Sequence, residues 1–175
     1  MLDTINGLPV HVLVIHAVVV LLPLMALVTI AFTVRAKWRP GLPWAILGNL
    51  AATGAAYAAV LSGRNLQTRL STQAGREIAK RHGELGAVLP YFGIGLVVAS
   101  VLSYLLVGRT RRTRRSSPDW DGTQQDAPRA SGLATAVAVV LVLAAGAAAT
   151  TWTYRVGDSG AQEVWHATIA NTKAP

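Results

Sequence analysis

Four stretches of mostly apolar residues, each close to 20 residues or longer, constrain this chain more than anything else in it. They run over about 9–34, 42–61, 85–107 and 131–151. An α-helix needs about 20 such residues to cross the hydrocarbon core of a bilayer. No strand-like alternation of apolar and polar residues competes with them. Pro43 suits the first turn of the second run and Ser131 the N-cap of the fourth. The pattern predicts an all-α fold: an integral membrane four-helix up-down bundle, built as one membrane domain over residues 1–175.

Composition supports this reading. Only 14% of the 175 residues are charged and 52% are hydrophobic, whereas a soluble domain carries about 25% charged residues. The net charge of +8 would suggest nucleic acid in a soluble protein. Here the basic residues fall between apolar runs, where they set membrane orientation, so no nucleic-acid partner is expected. The absence of cysteine excludes disulfides, thiolate metal sites, cysteine-ligated iron–sulfur clusters and covalently attached haem. Asp3 and no basic residue precede Leu8, so the first run reads as a retained anchor rather than a cleaved signal.

The connections are unlike one another. "RAKWRPG" from Arg35 is short and basic, with Trp38 and Trp44 placed as interfacial anchors. Residues 62–84 repeat Leu66, Leu70, Ala74 and Ile78 at helical spacing, which predicts an amphipathic surface helix between spans two and three. Residues 108–130 form a polar loop opening on "RTRRTRR". The first and third connections together hold nine Lys and Arg, against seven for the remaining segments. The arginine run also sits directly at the end of span three, where the positive-inside rule acts most strongly. The expectation is a bacterial inner-membrane protein with the 108–130 loop cytoplasmic. Both termini, including the 152–175 tail, would then be extracytoplasmic.

That topology brings all four histidines to one side: His11 and His16 opening span one, His82 just before span three, and His166 in the tail. Imidazole is the usual membrane ligand for haem iron, and also serves copper or zinc. Spans one and three lie diagonally in an up-down bundle, so their rings can converge on one centre. Axial ligands must share a height, which His11 and His82 satisfy better than His16 and His82. Five residues separate His11 from His16, roughly 140° around a helix, so those two do not share a metal. The competing reading is that these rings are interfacial polar groups that pack or hydrogen-bond. Glu84 is a candidate to orient His82 or a plain surface carboxylate. His166 is the weakest candidate, and Asn49 reads as an interhelical hydrogen bond. "VGDSGAQEVW" from Val156 reads as a Gly-Asp-Ser-Gly turn before a short helix, and Ser159 has no base within sequence reach. No catalytic constellation is complete, so any chemistry is at most electron transfer.

At "GLPVHVLVIHAVVVLLPL", "HGELG" and "RVGDSGAQEVW" the sequence resembles the bacterial membrane family called domain of unknown function 2231, in its actinobacterial form. Similar members open with His-Pro-x-x-Val-His, enter the third span with His-x-x-x-Gly, and carry Gly-[His/Asp]-Ser-Gly-Ala after the fourth. His11 and His16 match the first motif, with Val12 where many members have Pro. His82 and Gly86 match the second, and Gly157 through Ala161 the third. The resemblance brings no established activity. Some members are fused to Rieske or cytochrome c domains, which implies an electron-transfer setting and a redox or respiratory membrane partner. The leading expectation is a haem b-binding electron-transfer subunit using His82 with His11 or His16. The alternative is a non-catalytic scaffold or regulatory subunit of a larger complex. The lipid bilayer is a partner in either case, and a homo-oligomer is compatible with both.

Overall fold

The computed structural model describes residues 4–5, 8–67, 73–108 and 132–171. A two-residue antiparallel ladder pairs Thr4 with Pro9 and Ile5 with Leu8. Four helices follow: α1 Val10–Val34, α2 Leu42–Gln67, α3 Gln73–Ser103 and α4 Gly132–Asn171. A 3-10 turn over Ala36–Gly41 joins α1 to α2, and α3 closes in one π turn over Tyr104–Gly108. All four helices are long and apolar enough to cross a membrane. Each packs on its neighbours in the chain, and α4 closes the ring onto α1, leaving α1 and α3 across the diagonal.

The distribution of polarity is inverted relative to a soluble bundle. Leu27 is 64% exposed and Trp44 73%, and Leu24, Leu47, Leu50, Ile94, Val98, Val140 and Leu143 also face outward. Inside, fully buried, lie Thr29, Thr33, Asn49, Ser100 and Ser103. An outer surface of this kind is stable against lipid tails and not against water. Small residues let the backbones approach: Ala45, Ala52, Ala56 and Ala59 form the buried stripe of α2.

The bundle has two dissimilar ends. At one, Leu42, Val107 and Ala138 pack with Phe32 and Tyr104. Arg39 lies there as well, with Nε donating to the Thr33 carbonyl at 3.3 Å and Nη2 to Thr135 Oγ1 at 3.4 Å. The Arg35 guanidinium sits 4.4 Å over the Trp38 ring, so the short basic connection folds back on its own aromatic residue. Toward the other end, Val18, Leu22, Ala52, Ala56, Ala59 and Leu89 form an apolar layer. Beyond it lie the start of α3 and the far ends of α2 and α4.

Two elements differ from what the sequence predicts. Among the described residues the helical periodicity in 62–84 falls on the spanning helices and not on a separate surface helix: α2 runs on to Gln67 and α3 starts at Gln73. Above the apolar layer the Gln67 side chain at the end of α2 lies against Gly83 of α3. The Gly-Asp-Ser-Gly turn is likewise absent, since α4 continues unbroken through it to Asn171. Its 40 residues span about 60 Å at 1.5 Å per residue, about twice the hydrocarbon thickness. The basic loop after Gly108 lies outside the described residues.

Candidate metal centre

His11 is in the first turn of α1, and its half-buried ring leans against the end of α2. Its Nδ1 lies 2.9 Å from the Ala59 carbonyl and 3.2 Å from Ser62 Oγ. A carbonyl only accepts, so Nδ1 is the protonated nitrogen and donates. Ser62 Oγ donates its own hydrogen to the same carbonyl at 3.0 Å. In the neutral ring, therefore, the Nε2 of His11 carries the lone pair.

The same logic fixes His82, which enters from α3. Its Nδ1 lies 3.0 Å from Ser159 Oγ. Ser159 spends its single hydrogen on the Val156 carbonyl at 2.8 Å. The imidazole must then donate to the hydroxyl, again through Nδ1, leaving the lone pair on Nε2. This also decides the chemistry of the pair. A histidine that donates to a serine is not deprotonating it, so His82 and Ser159 form an orienting contact and not a nucleophile with its base.

The two rings come together edge-on from diagonal helices, with centroids 6.4 Å apart and planes inclined at 79°. Glycines allow helix backbones to reach them. A Cβ built on Gly63 would stand 2.8 Å from His11 Cε1, and one on Gly160 would stand 3.0 Å from His82 Cε1. Any larger residue at either position would push into an imidazole. Below His82, Trp152 donates its indole N–H to the Leu85 carbonyl at 3.0 Å and stacks on Phe92 with centroids 4.9 Å apart. Arg155 covers the indole at 5.5 Å. Trp152 thus ties α4 to α3 one turn beneath the pair.

The other candidates lie elsewhere. His16 is exposed on the outer face of α1, and its Nδ1 donates to the Val12 carbonyl of its own helix at 2.6 Å. It is not brought to the His11–His82 pair. Glu84 is exposed on α3, and no hydrogen bond joins it to His82. His166 lies on the α4 backbone, with its side chain outside the described residues. Ser62, the Ala59 carbonyl and Ser159 escape sequence reasoning because a hydrogen-bond partner 48, 51 or 77 residues away leaves no local signal. Only the Ser-Gly pairs, Ser62-Gly63 and Ser159-Gly160, hint at it, each placing a hydroxyl beside a residue without a side chain.

A membrane-embedded four-helix bundle with polar residues inside and a paired-imidazole end defines the class of protein. The family model described as a predicted membrane protein, domain of unknown function 2231, matches residues 7–173, and the chain belongs to that family. No curated protein and no solved structure matches it.

The residues can be tested against a metal. Two imidazoles on opposite sides of one metal, with nitrogens at about 2.0–2.1 Å and about 1.1 Å from nitrogen to ring centre, have centroids about 6.3 Å apart. The centroid spacing here is 6.4 Å. Structural zinc takes four protein ligands and catalytic zinc three, and no group of three His, Cys, Asp or Glu that could hold an ion occurs among the described residues. Two imidazoles are a ligand set that a haem iron would accept.

Proposed function

We propose that this protein is a haem b-binding electron-transfer subunit of a bacterial inner membrane, with His11 and His82 as the ligands. The observation that carries this reading is the pair of Nδ1 bonds, which leave an Nε2 lone pair on each of two neighbouring rings from diagonal helices. Haem would supply a one-electron centre. The protein's own residues set the rest: the Ala59 carbonyl and Ser159 hold the tautomers, Ser62 supports the first of these contacts, and Gly63 and Gly160 admit the helix backbones. The excess of Lys and Arg in the first and third connections supports an extracytoplasmic position for this end of the bundle and for both termini. A redox partner would therefore approach from that side.

Purified protein from haem-replete cells should show a Soret band that shifts and sharpens on reduction. His11→Ala and His82→Ala should each abolish it, and His16→Ala should leave it unchanged. A colourless preparation that also fails to take up added haemin overturns the proposal.

A further inference from the structure

A second polar layer lies inside the bundle, separated from the histidine pair by the apolar layer of Val18, Leu22, Ala52, Ala56, Ala59 and Leu89. Its centre is Asn49 of α2, which is 0% exposed. The amide Nδ2 donates to Thr29 Oγ1 on α1 and to Ser100 Oγ on α3, each at 2.9 Å. Its Oδ1 is buried and has no hydrogen-bond partner. Turning the amide over would not help. Thr29 and Ser100 already donate to the Met25 and Leu96 carbonyls at 2.7 Å, and a flip would strand two N–H donors in place of one acceptor.

Every other hydrogen in the layer is also committed. Thr53 donates to the Asn49 carbonyl and Thr33 to the Thr29 carbonyl. Thr33 has then no hydrogen left, so in its 2.8 Å bond with Ser103 the serine is the donor. What remains unfilled is acceptors alone: both lone pairs of Asn49 Oδ1, one each on Thr29 and Ser100, and those of Ser103. A buried acceptor left unmatched at membrane depth is unfavourable, and no protein hydrogen is free to satisfy it.

We infer that Asn49 Oδ1 is the anchor of an internal binding site for one small species that offers only hydrogens or positive charge: a water molecule or a dehydrated monovalent cation. The layer contains no carboxylate, so a divalent ion, which takes charged oxygen ligands, is not its occupant. A water finds its two acceptors here, and a monovalent cation finds neutral oxygens of the type that replace a hydration shell.

The test uses the full chain in detergent or nanodiscs, prepared in sodium chloride, potassium chloride and choline chloride. An experimental structure at a resolution that shows ordered water should carry a peak within contact distance of Asn49 Oδ1. A peak retained in choline chloride identifies water. A peak lost in choline, together with an unfolding midpoint that rises with sodium or potassium in the wild type and not in Asn49→Leu, identifies the cation. No peak in any of the three media, with a midpoint indifferent to the cation, overturns the inference. The wild-type structure alone decides this, even if Asn49→Leu does not fold. The outcome is independent of whether the histidine pair binds haem.

Discussion

Ser159→Ala isolates the contact that orients His82. The serine hydroxyl accepts from His82 Nδ1 at 3.0 Å and donates to the Val156 carbonyl at 2.8 Å. Removing it leaves the imidazole N–H with the Val156 carbonyl, which His82 also senses, as its remaining acceptor. The net loss of one hydrogen bond costs about 0.5–1.5 kcal/mol, a factor of about 2–13 in the population of the competent ring. That range overlaps the loss of about 10–100-fold seen when a hydrogen-bond partner of a metal-bound histidine is removed. Titration of haem-free protein with haemin, followed at the Soret band, measures the change. Imidazole nitrogen shifts of the haem-free protein report the tautomer directly and do not depend on haem. Ser159→Thr retains the hydroxyl and should restore both signals. Unchanged haemin affinity and an unchanged His82 tautomer in Ser159→Ala would refute the assignment of this serine as the positioning residue.

Three further outcomes follow from the same geometry. Trp152→Phe removes the bond to the Leu85 carbonyl while keeping an aromatic ring against Phe92; it should cost about 1 kcal/mol, read as a lower unfolding midpoint in detergent. Thr33→Val leaves the Ser103 hydroxyl free to turn back onto its own helix, as Ser100 does onto Leu96. Its coupling to Ser103→Ala in a double-mutant cycle should be about 0.6 kcal/mol, the usual value between membrane helices. Reporter fusions at Arg112 and Arg155 should fall in opposite compartments, and finding both in one would remove the orientation assigned to the histidine end.

Much of this architecture is legible in the sequence because bilayer thickness and backbone hydrogen bonding leave few choices. Four apolar runs with no rival periodicity become four helices, and the polar turns beside the second and third runs are helical too, with α2 ending at Gln67 and α3 starting at Gln73. The ends of helices are less visible. Hydropathy marks where a helix leaves lipid, not where it stops, so α4 outruns the limit at 151 by 20 residues to Asn171. Turn chemistry also misleads at Gly157 through Gly160. Gly, Asp and Ser favour turns when isolated, yet here Ser159 bonds back to Val156 and outward to His82, and Gly160 packs on the same ring. At the candidate site, equal height and diagonal placement favour His11 over His16 as the partner of His82, and their rings do meet. The tautomers could not be read in this way, because they depend on a carbonyl and a hydroxyl brought in from α2 and α4.

The glycines at the histidine end turn that tertiary dependence into a contrast of sign. In an isolated helix Gly→Ala stabilises by about 0.8–1.0 kcal/mol. At Gly54 and Gly157 a new Cβ meets nothing within 4 Å, so Ala there should be neutral or stabilising by up to about 1 kcal/mol. At Gly63 the same methyl would stand 2.8 Å from His11 Cε1, where ordinary contact begins near 3.4 Å. The ring would have to retreat by about half an ångström while tethered at 2.9 Å to Ala59, one turn earlier on the same helix. Retreat stretches that bond toward the limit of a hydrogen bond and shifts the ring relative to His82. Gly63→Ala should therefore lose stability where Gly54→Ala, on the same helix, does not, and should weaken haemin uptake as well. Equal unfolding midpoints for the two variants would mean that His11 is free to move, and the fixed-tautomer argument would fail at its first residue.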